Sequence, residues 1–289
     1  MDLLPLWYQY TMVIVLGLII GSFLNVVLYR FHTGRSINGS SHCLSCGEKL
    51  RWFELIPLVS YVALRGKCRS CGCYIPLRYF LVELVTALLF LIVFMNYGIT
   101  LMGGVVAILF VLLLLVTVYD LYHMVIPNEL VLLLCVAAAG YMYLELAPRF
   151  SWETLVAHTF AALGVFLFYG GLWFVSRGRW IGFGDAKLAV PLGFILGPVN
   201  AFSFVVFSFW VGALLSVGLL LLPYIRSFSV LLTKKIKRLF STCPQGSVVN
   251  YRRYFTMKSE VPFAPFMVIA FLLVFLCKYD VLTMMIGAI

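Results

Sequence analysis

Long apolar stretches separated by shorter polar segments are the first pattern along the chain. Several of these stretches approach or exceed the roughly 18 to 20 residues that a helix needs to cross the hydrocarbon core of a bilayer. Because the bilayer offers no water to backbone groups, such spans are expected to be helical. Eight spans are predicted, at residues 8–29, 79–95, 100–119, 126–144, 154–175, 187–196, 200–222 and 263–278. The sixth is short and ends at Gly197-Pro198, a dipeptide typical of a break.

The composition agrees with a membrane location. Of the 289 residues, 63% are apolar and only 11% are charged, and the mean hydropathy is +1.06, far from the values of soluble domains. The predicted fold class is therefore an all-α membrane protein with about eight transmembrane helices. The first span is expected to remain as an anchor and not to be removed as a signal peptide, because no basic residue precedes it and Arg30 follows it.

The net charge of +10 is a topology signal rather than a sign of nucleic-acid binding. With eight alternating crossings, nineteen of the twenty-one Lys and Arg residues fall on one side, in segments 30–78, 177–187 and 224–261. The positive-inside rule makes this side cytoplasmic and places both termini in the periplasm. The basic loop 224–261 has two open interpretations, a solvated loop or a segment that binds anionic lipid or a partner.

The first cytoplasmic loop carries two C-x-x-C pairs, between the first and second spans. Cys43-Leu-Ser-Cys46 and Cys68-Arg-Ser-Cys71 are separated by twenty-one residues, a pattern typical of a four-cysteine zinc site. Four reduced thiols or two disulfides are the alternatives, and a cytoplasmic location argues against disulfides. Cys73 is a possible substitute for Cys71, which we favour because it completes the second pair. The other cysteines show no metal-binding pattern, and Cys135 and Cys277 are expected to be small buried hydrophobic residues, with Cys243 alone in the basic loop.

Two aspartates stand out because the chain has only eleven acidic residues and charge beside a bilayer is usually retained for a function or a structural pair. Asp120 ends the third span, and Asp185 lies just before the sixth. Gly182 and Gly184 permit a close approach of the backbone there. The topology places both carboxylates at the cytoplasmic boundary, so we expect them to meet.

Two facing carboxylates that share one proton supply a base that activates water and an acid that protonates a leaving amine. The pair therefore indicates an aspartyl peptidase. Simpler alternatives are that Asp120 caps the following helix, or that Asp185 is an N-cap or an ion-pair partner of Lys187. A different class of protein, a cation-coupled transporter, would use the two aspartates as carriers.

Several motifs in order resemble the type IV prepilin peptidases, a family of GxGD aspartyl proteases. The similarity extends from about Gly17 to Phe271, with Ala264 at a common glycine position and Asn128 at a frequent aspartate position. Besides the cysteine pairs, the similar segments are Gly21-Ser-Phe-Leu-Asn25-Val-Val-Leu-Tyr-Arg30, Arg78-Tyr79 through Val82-Glu83-Leu84, Asp120 with Ile126-Pro127-Asn128, Gly182-Phe-Gly-Asp185-Ala-Lys-Leu188 and Pro262-Phe-Ala-Pro265-Phe.

The resemblance implies a bifunctional enzyme of the bacterial inner membrane. Such an enzyme cleaves the basic leader of type IV prepilins or type II secretion pseudopilins at the cytoplasmic face, and methylates the new N-terminus with S-adenosylmethionine. A peptidase without methyltransferase activity is the alternative within the family. The residues that match the family's functional positions are the aspartates Asp120 and Asp185, the methylation-associated Gly66, and the zinc ligands Cys43, Cys46, Cys68 and Cys71.

The methyltransferase site is expected in residues 1–99, and the peptidase region in residues 100–289. A Rossmann-type domain is not expected, because we find no G-x-G-x-x-G fingerprint. Asn25 and Glu83 are polar groups at apolar positions, and we expect them to help hold the amine or the cofactor. The alternative is that Glu83 forms a structural ion pair with Arg78 or Arg30.

Overall fold

The computed structural model describes residues 5–31, 39–147, 151–225 and 262–277. Within these ranges the chain is helical and forms no sheet strand, and isolated bridges join only His42 to Lys49 and Lys67 to Tyr74. The predicted all-α fold is confirmed. Most of the basic loop 224–261, including Cys243, and the last twelve residues lie outside the described residues.

Eight α-helices and one 3-10 turn, Trp52–Leu55, are described. Six of the helices are long and apolar enough to cross a membrane, so the chain is a multi-pass membrane protein. The helices are α1 (Leu6–Arg30), α2 (Val59–Ala63), α3 (Leu77–Tyr97), α4 (Leu101–His123), α5 (Asn128–Leu146), α6 (Trp152–Ser176), α7 (Phe183–Ile225) and α8 (Ala264–Cys277).

The predicted sixth and seventh spans are two parts of α7. The helix is interrupted at Gly197, whose φ of 72° and ψ of 179° are not helical. The interruption is stabilised from α6, where Nδ1 of His158 lies 2.7 Å from the carbonyl oxygen of Phe194. A carbonyl near the end of the first part of α7 therefore has a side-chain partner in place of the missing helical donor.

The described residues form two compact units, the first with residues 5–31, 39–103 and 222–225, and the second with residues 104–147, 151–221 and 262–277. In the first unit, α1 packs against α3 through two glycines. A Cβ atom at Gly17 would lie 2.8 Å from Cα of Ala87, and one at Gly21 would lie 2.7 Å from Cα of Glu83. Small residues of this kind allow membrane helices to approach closely.

The second unit has a buried core to which α4, α5, α6, α7 and α8 all contribute. Phe110, Tyr169, Phe204 and Phe271 are its largest fully buried side chains. Gly193 of α7 brings this helix against Ala162 of α6, because a Cβ there would lie 3.3 Å from Cα of Ala162. This packing fixes the first part of α7, which carries Asp185.

The expected burial of Cys135 and Cys277 is wrong. Cys135 is half-buried and Cys277 is exposed on α8. The apolar surroundings of a side chain on a membrane helix can be lipid as well as the protein core. Hydropathy therefore does not distinguish the side of the helix that faces lipid from the side that faces the protein.

Candidate active site

Asp120 lies in the last turn of α4, which continues to His123 and so extends beyond the predicted end of the span. Its side chain is 5% exposed and accepts a hydrogen bond from the backbone N–H of Ala264, the first residue of α8. A helix N-terminus has unpaired N–H groups and a partial positive charge, so it favours a carboxylate. Oδ2 of Asp120 is buried and has no hydrogen-bond partner among the described residues.

Asp120 does not cap the next helix. The N-cap of α5 is Pro127, and no side chain caps it. The buried carboxylate therefore has a free oxygen that its local structure does not use, and such an atom calls for a ligand, a proton or a water.

Asp185 is the third residue of α7 and is 6% exposed. Its Oδ2 accepts a hydrogen bond from the N–H of Gly182 at 3.1 Å. An acidic side chain at the third position of a helix commonly accepts a hydrogen bond from the backbone N–H of the N-cap residue in this way. The helix thus begins at Phe183, earlier than predicted, and Asp185 lies inside its first turn and is not its N-cap.

Gly184 explains how the first turn of α7 approaches the segment that follows Asp120. A Cβ atom at this position would lie 3.1 Å from Cβ of Ile126, so a side chain would push the two segments apart. One step further on, Nζ of Lys187 donates to Oδ1 of Asn128 at 2.9 Å. Both contacts draw α7 towards the α4–α5 connection.

Asp120 and Asp185 both belong to the second unit, where the charge of Asp120 acts on the carboxyl group of Asp185. Lys187 does not neutralise the pair. Its ammonium group bonds to Asn128 and lies 4.8 Å from the ring centre of Phe183. The predicted alternative of an Asp185–Lys187 ion pair is therefore not found in the described part of the chain.

Tyr169 is a neighbour of the pair that the sequence did not indicate. It is fully buried, its hydroxyl lies 2.6 Å from Oγ of Ser208, and it is close enough to Asp185 to interact with its charge. Its ring lies 6.0 Å from that of Phe263, just before α8. In the sequence, a tyrosine within an apolar span resembles an ordinary core residue. The feature that distinguishes Tyr169 is its hydrogen bond to a serine 39 residues away, which the sequence does not show.

The four predicted cysteines form a cluster in the first unit, in which all four sulfur atoms lie within 4.8 Å of one another. The Sγ atoms of Cys43 and Cys71 are 3.9 Å apart, near the roughly 3.8 Å edge of a tetrahedron with zinc–sulfur bonds of about 2.3 Å. Cys73 is not part of the cluster, which supports the choice of Cys71. The four thiols therefore fit a zinc ion.

Both cysteine pairs have the same backbone turn, and each turn depends on a glycine that the sequence analysis missed. The N–H of Gly47 donates to the carbonyl of Cys43 at 2.9 Å, and the N–H of Gly72 donates to that of Cys68 at 2.9 Å. Their φ angles are 73° and 70°, values that glycine adopts readily. The residue after each C-x-x-C pair was the available signal.

A cavity of about 200 Å³ in the first unit is lined by residues of α1, α3 and the cysteine loop, including Asn25 and Glu83. Nδ2 of Asn25 donates to the carbonyl of Tyr79 at 3.0 Å. Glu83 accepts from the N–H of Leu58 at 2.9 Å and bonds to the hydroxyl of Ser22. In the described residues Glu83 forms no ion pair with an arginine, so the predicted structural ion pair is not found.

Gly66 does not line this cavity, but it supports a residue that does. Its φ is 65°, and a Cβ atom there would lie 2.9 Å from the hydroxyl oxygen of Tyr61. Tyr61 lines the cavity, and burial raises the pKa of its hydroxyl above the ordinary value. A side chain at Gly66 would therefore displace the Tyr61 ring.

A multi-pass helical protein with two buried, interacting aspartates at helix ends has the makeup of a membrane aspartyl peptidase. Comparison with protein families agrees: residues 15–97 match the bacterial peptidase A24 N-terminal domain, and residues 107–217 match the type IV leader peptidase family. The chain belongs to the type IV leader peptidase family, as its motifs predicted.

Relatives in three bacteria carry the name prepilin leader peptidase/N-methyltransferase. The chain is 36% identical over 202 residues to the Bacillus subtilis protein, a match that covers 69% of this chain and 79% of that protein. It is 34% identical over 219 residues to the Pseudomonas aeruginosa protein, covering 62% and 70%. The match to the Myxococcus xanthus protein, at 35% over 212 residues, covers 72% of this chain and 62% of that protein. No solved structure matches the chain significantly.

Proposed function

We propose that this chain is a bifunctional prepilin leader peptidase, which hydrolyses the leader of type IV prepilins or type II pseudopilins and then methylates the new N-terminus. The observation that carries the peptidase half is the buried pair Asp120–Asp185. One carboxylate takes a proton from the attacking water while the other protonates the leaving amine.

Backbone donors hold the two carboxylates in place for this chemistry. The Ala264 N–H binds one oxygen of Asp120, which leaves the buried Oδ2 to contact water or to hold the shared proton. The Gly182 N–H binds Oδ2 of Asp185. Because both donors are main-chain groups at helix starts, they orient the carboxylates without contributing a full positive charge.

The proposed location is the bacterial inner membrane, with the active site at the cytoplasmic face and both termini in the periplasm. The support is the distribution of Lys and Arg, of which only Arg149 and Lys278 fall on the predicted periplasmic side. Substrates with a basic leader would then meet the aspartates on the side where such leaders are retained.

For methyl transfer, we propose that the cavity between α1, α3 and the cysteine loop holds S-adenosylmethionine. The cofactor supplies an electrophilic methyl group on a positively charged sulfur. The carboxylate of Glu83 would attract a cation or an amine, the amide of Asn25 would help to orient it, and Gly66 would keep Tyr61 against the cavity. The support is that Glu83 has no arginine partner among the described residues and that Asn25 and Glu83 line the same cavity.

Zinc is proposed as a structural ion held by Cys43, Cys46, Cys68 and Cys71. The loop between α1 and α3 contains little buried apolar surface of its own, and a four-thiolate zinc site stabilises segments that lack a core. The cysteine cluster would fix one wall of the cavity, because Cys43 and Cys68 are among its lining residues.

The test uses the purified chain, a prepilin and labelled S-adenosylmethionine. We expect a shortened pilin that carries the label. The Glu83→Gln variant should lose label transfer and bind labelled S-adenosylmethionine at least about tenfold more weakly, while cleavage persists. Glu48→Gln, at an exposed position of the first cysteine turn, is the matched control and should behave as the unchanged chain. Undiminished cofactor binding by Glu83→Gln would remove Glu83 from the site.

A further inference from the structure

The cysteine loop contains an exposed apolar surface on a segment that also contributes Leu55 and Tyr61 to the lining of the cavity. It is formed by residues 51–65, which include the 3-10 turn Trp52–Leu55 and α2, and we name it the loop face. Trp52 is 77% exposed, Val59 61% and Val62 64%, with Leu55 and Ile56 also exposed. A cluster of exposed apolar side chains in so short a segment indicates a surface that contacts an apolar partner.

The loop face is attached to the end of a membrane-spanning helix. The ring of Tyr61 in α2 lies 5.3 Å from that of Phe80, and the N–H of Leu58 donates to Glu83. Phe80 and Glu83 lie in the first two turns of α3, about 4.5 and 9 Å along the helix axis from Leu77 at the 1.5 Å rise per residue. The segment therefore lies at the depth where α3 enters the bilayer.

Basic side chains border the loop face. Arg51, Arg65 and Arg69 are exposed, and the guanidinium carbon of Arg69 lies 5.5 Å from the ring centre of Phe53, which in turn contacts the ring of Trp52. Tryptophan and arginine side by side are typical of the boundary between acyl chains and headgroups, where the ring is partly buried and the cation remains in the polar layer.

We propose that the loop face lies on the cytoplasmic surface of the bilayer, with Trp52, Val59 and Val62 in the acyl boundary and the arginines at anionic headgroups. Its depth beside α3 favours lipid over a soluble partner, and its basic border favours an anionic surface over a basic peptide. The cysteine cluster and the neighbouring cavity are then held at the membrane surface, because the same segment connects them to α3.

The experiment uses the full chain in nanodiscs of phosphatidylethanolamine and phosphatidylglycerol. The photoreactive residue p-benzoylphenylalanine replaces Val62, and in separate variants Leu55 or Glu48, an exposed polar position of the same loop. Mass spectrometry after illumination should show lipid adducts at Val62 and Leu55 at least about tenfold above those at Glu48. Phosphatidylglycerol should be enriched in the adducts relative to its share of the nanodisc.

Equal adduct levels at Val62 and Glu48 would overturn the proposal, provided that prepilin cleavage shows both variants to be folded. If Val62 does not tolerate the replacement, Val59 offers the same test. When prepilin is added, a shift of labelling from lipid to the peptide would make the loop face a substrate surface and would likewise overturn the proposal. Adducts without phosphatidylglycerol enrichment would remove the role of the arginines.

Discussion

Lys187 and Asn128 form a hydrogen bond of 2.9 Å between Nζ and Oδ1, although Lys187 is only two residues from Asp185. The lysine therefore joins the first turn of α7 to the start of α5, and within the described residues the aspartate pair has no cationic partner. Two carboxylates share a proton only if no cation lies close to them, because a close cation would favour ionisation of both groups.

Replacing Lys187 with methionine tests this separation of roles. Cleavage of prepilin should change by less than about threefold, since the aspartates keep their backbone donors. The loss of one hydrogen bond should lower the free energy of unfolding by about 1–2 kcal/mol. Steady-state kinetics and thermal unfolding in detergent measure the two effects. A fall in cleavage as large as that caused by removing Asp185 would mean that the lysine takes part in the chemistry.

The interruption of α7 predicts a specific effect of Gly197→Ala. The combination of φ 72° and ψ 179° is essentially restricted to glycine and is unfavourable for alanine by about 1–3 kcal/mol, and the new Cβ would lie 2.8 Å from the His158 ring. Thermal unfolding should therefore occur at a lower temperature. Gly164→Ala, in α6 with no atom within 4 Å of the added Cβ, is the control and should be neutral or slightly stabilising. Equal melting temperatures for the two variants would contradict the described break.

Zinc content distinguishes Cys71 from its neighbour Cys73. Elemental analysis of the purified chain should find about one zinc per molecule. Cys71→Ser should lower this content strongly, because it removes one of four converging thiolates, whereas Cys73→Ser should retain the metal. Retention of zinc by Cys71→Ser together with its loss from Cys73→Ser would reverse the assignment.

The sequence was sufficient for the helices and for the meeting of the aspartates. Hydropathy reports directly on transfer into a bilayer, and alternating crossings predict that the end of the third span and the start of the sixth lie on one side. The C-x-x-C spacing identified the four converging sulfur atoms, because the two cysteines of each pair are close in the sequence. The only long-range contact that had to be assumed was the one between the two pairs.

What the sequence did not reveal depends on contacts between distant segments. The Ala264 N–H that binds Asp120 is a backbone group with no sequence signature, and the Tyr169–Ser208 pair joins two apolar helices. The alternative of an arginine partner for Glu83 is not found among the described residues, and the donor that its carboxylate has, the N–H of Leu58, is again a backbone group with no sequence signature. Asp185 was placed before its helix because the sequence does not show that its carboxylate satisfies the Gly182 N–H.

The most direct test of the aspartate pair is a comparison of Asp120→Asn, Asp185→Asn and the double variant in prepilin cleavage. Asparagine keeps the shape of the side chain but cannot exchange the shared proton. Each single variant should lose at least about 10³-fold in kcat/KM, and the double variant should lose little more, because residues that act as a unit are not additive. Near-normal cleavage by either single variant, or independent losses that multiply in the double variant, would contradict the account.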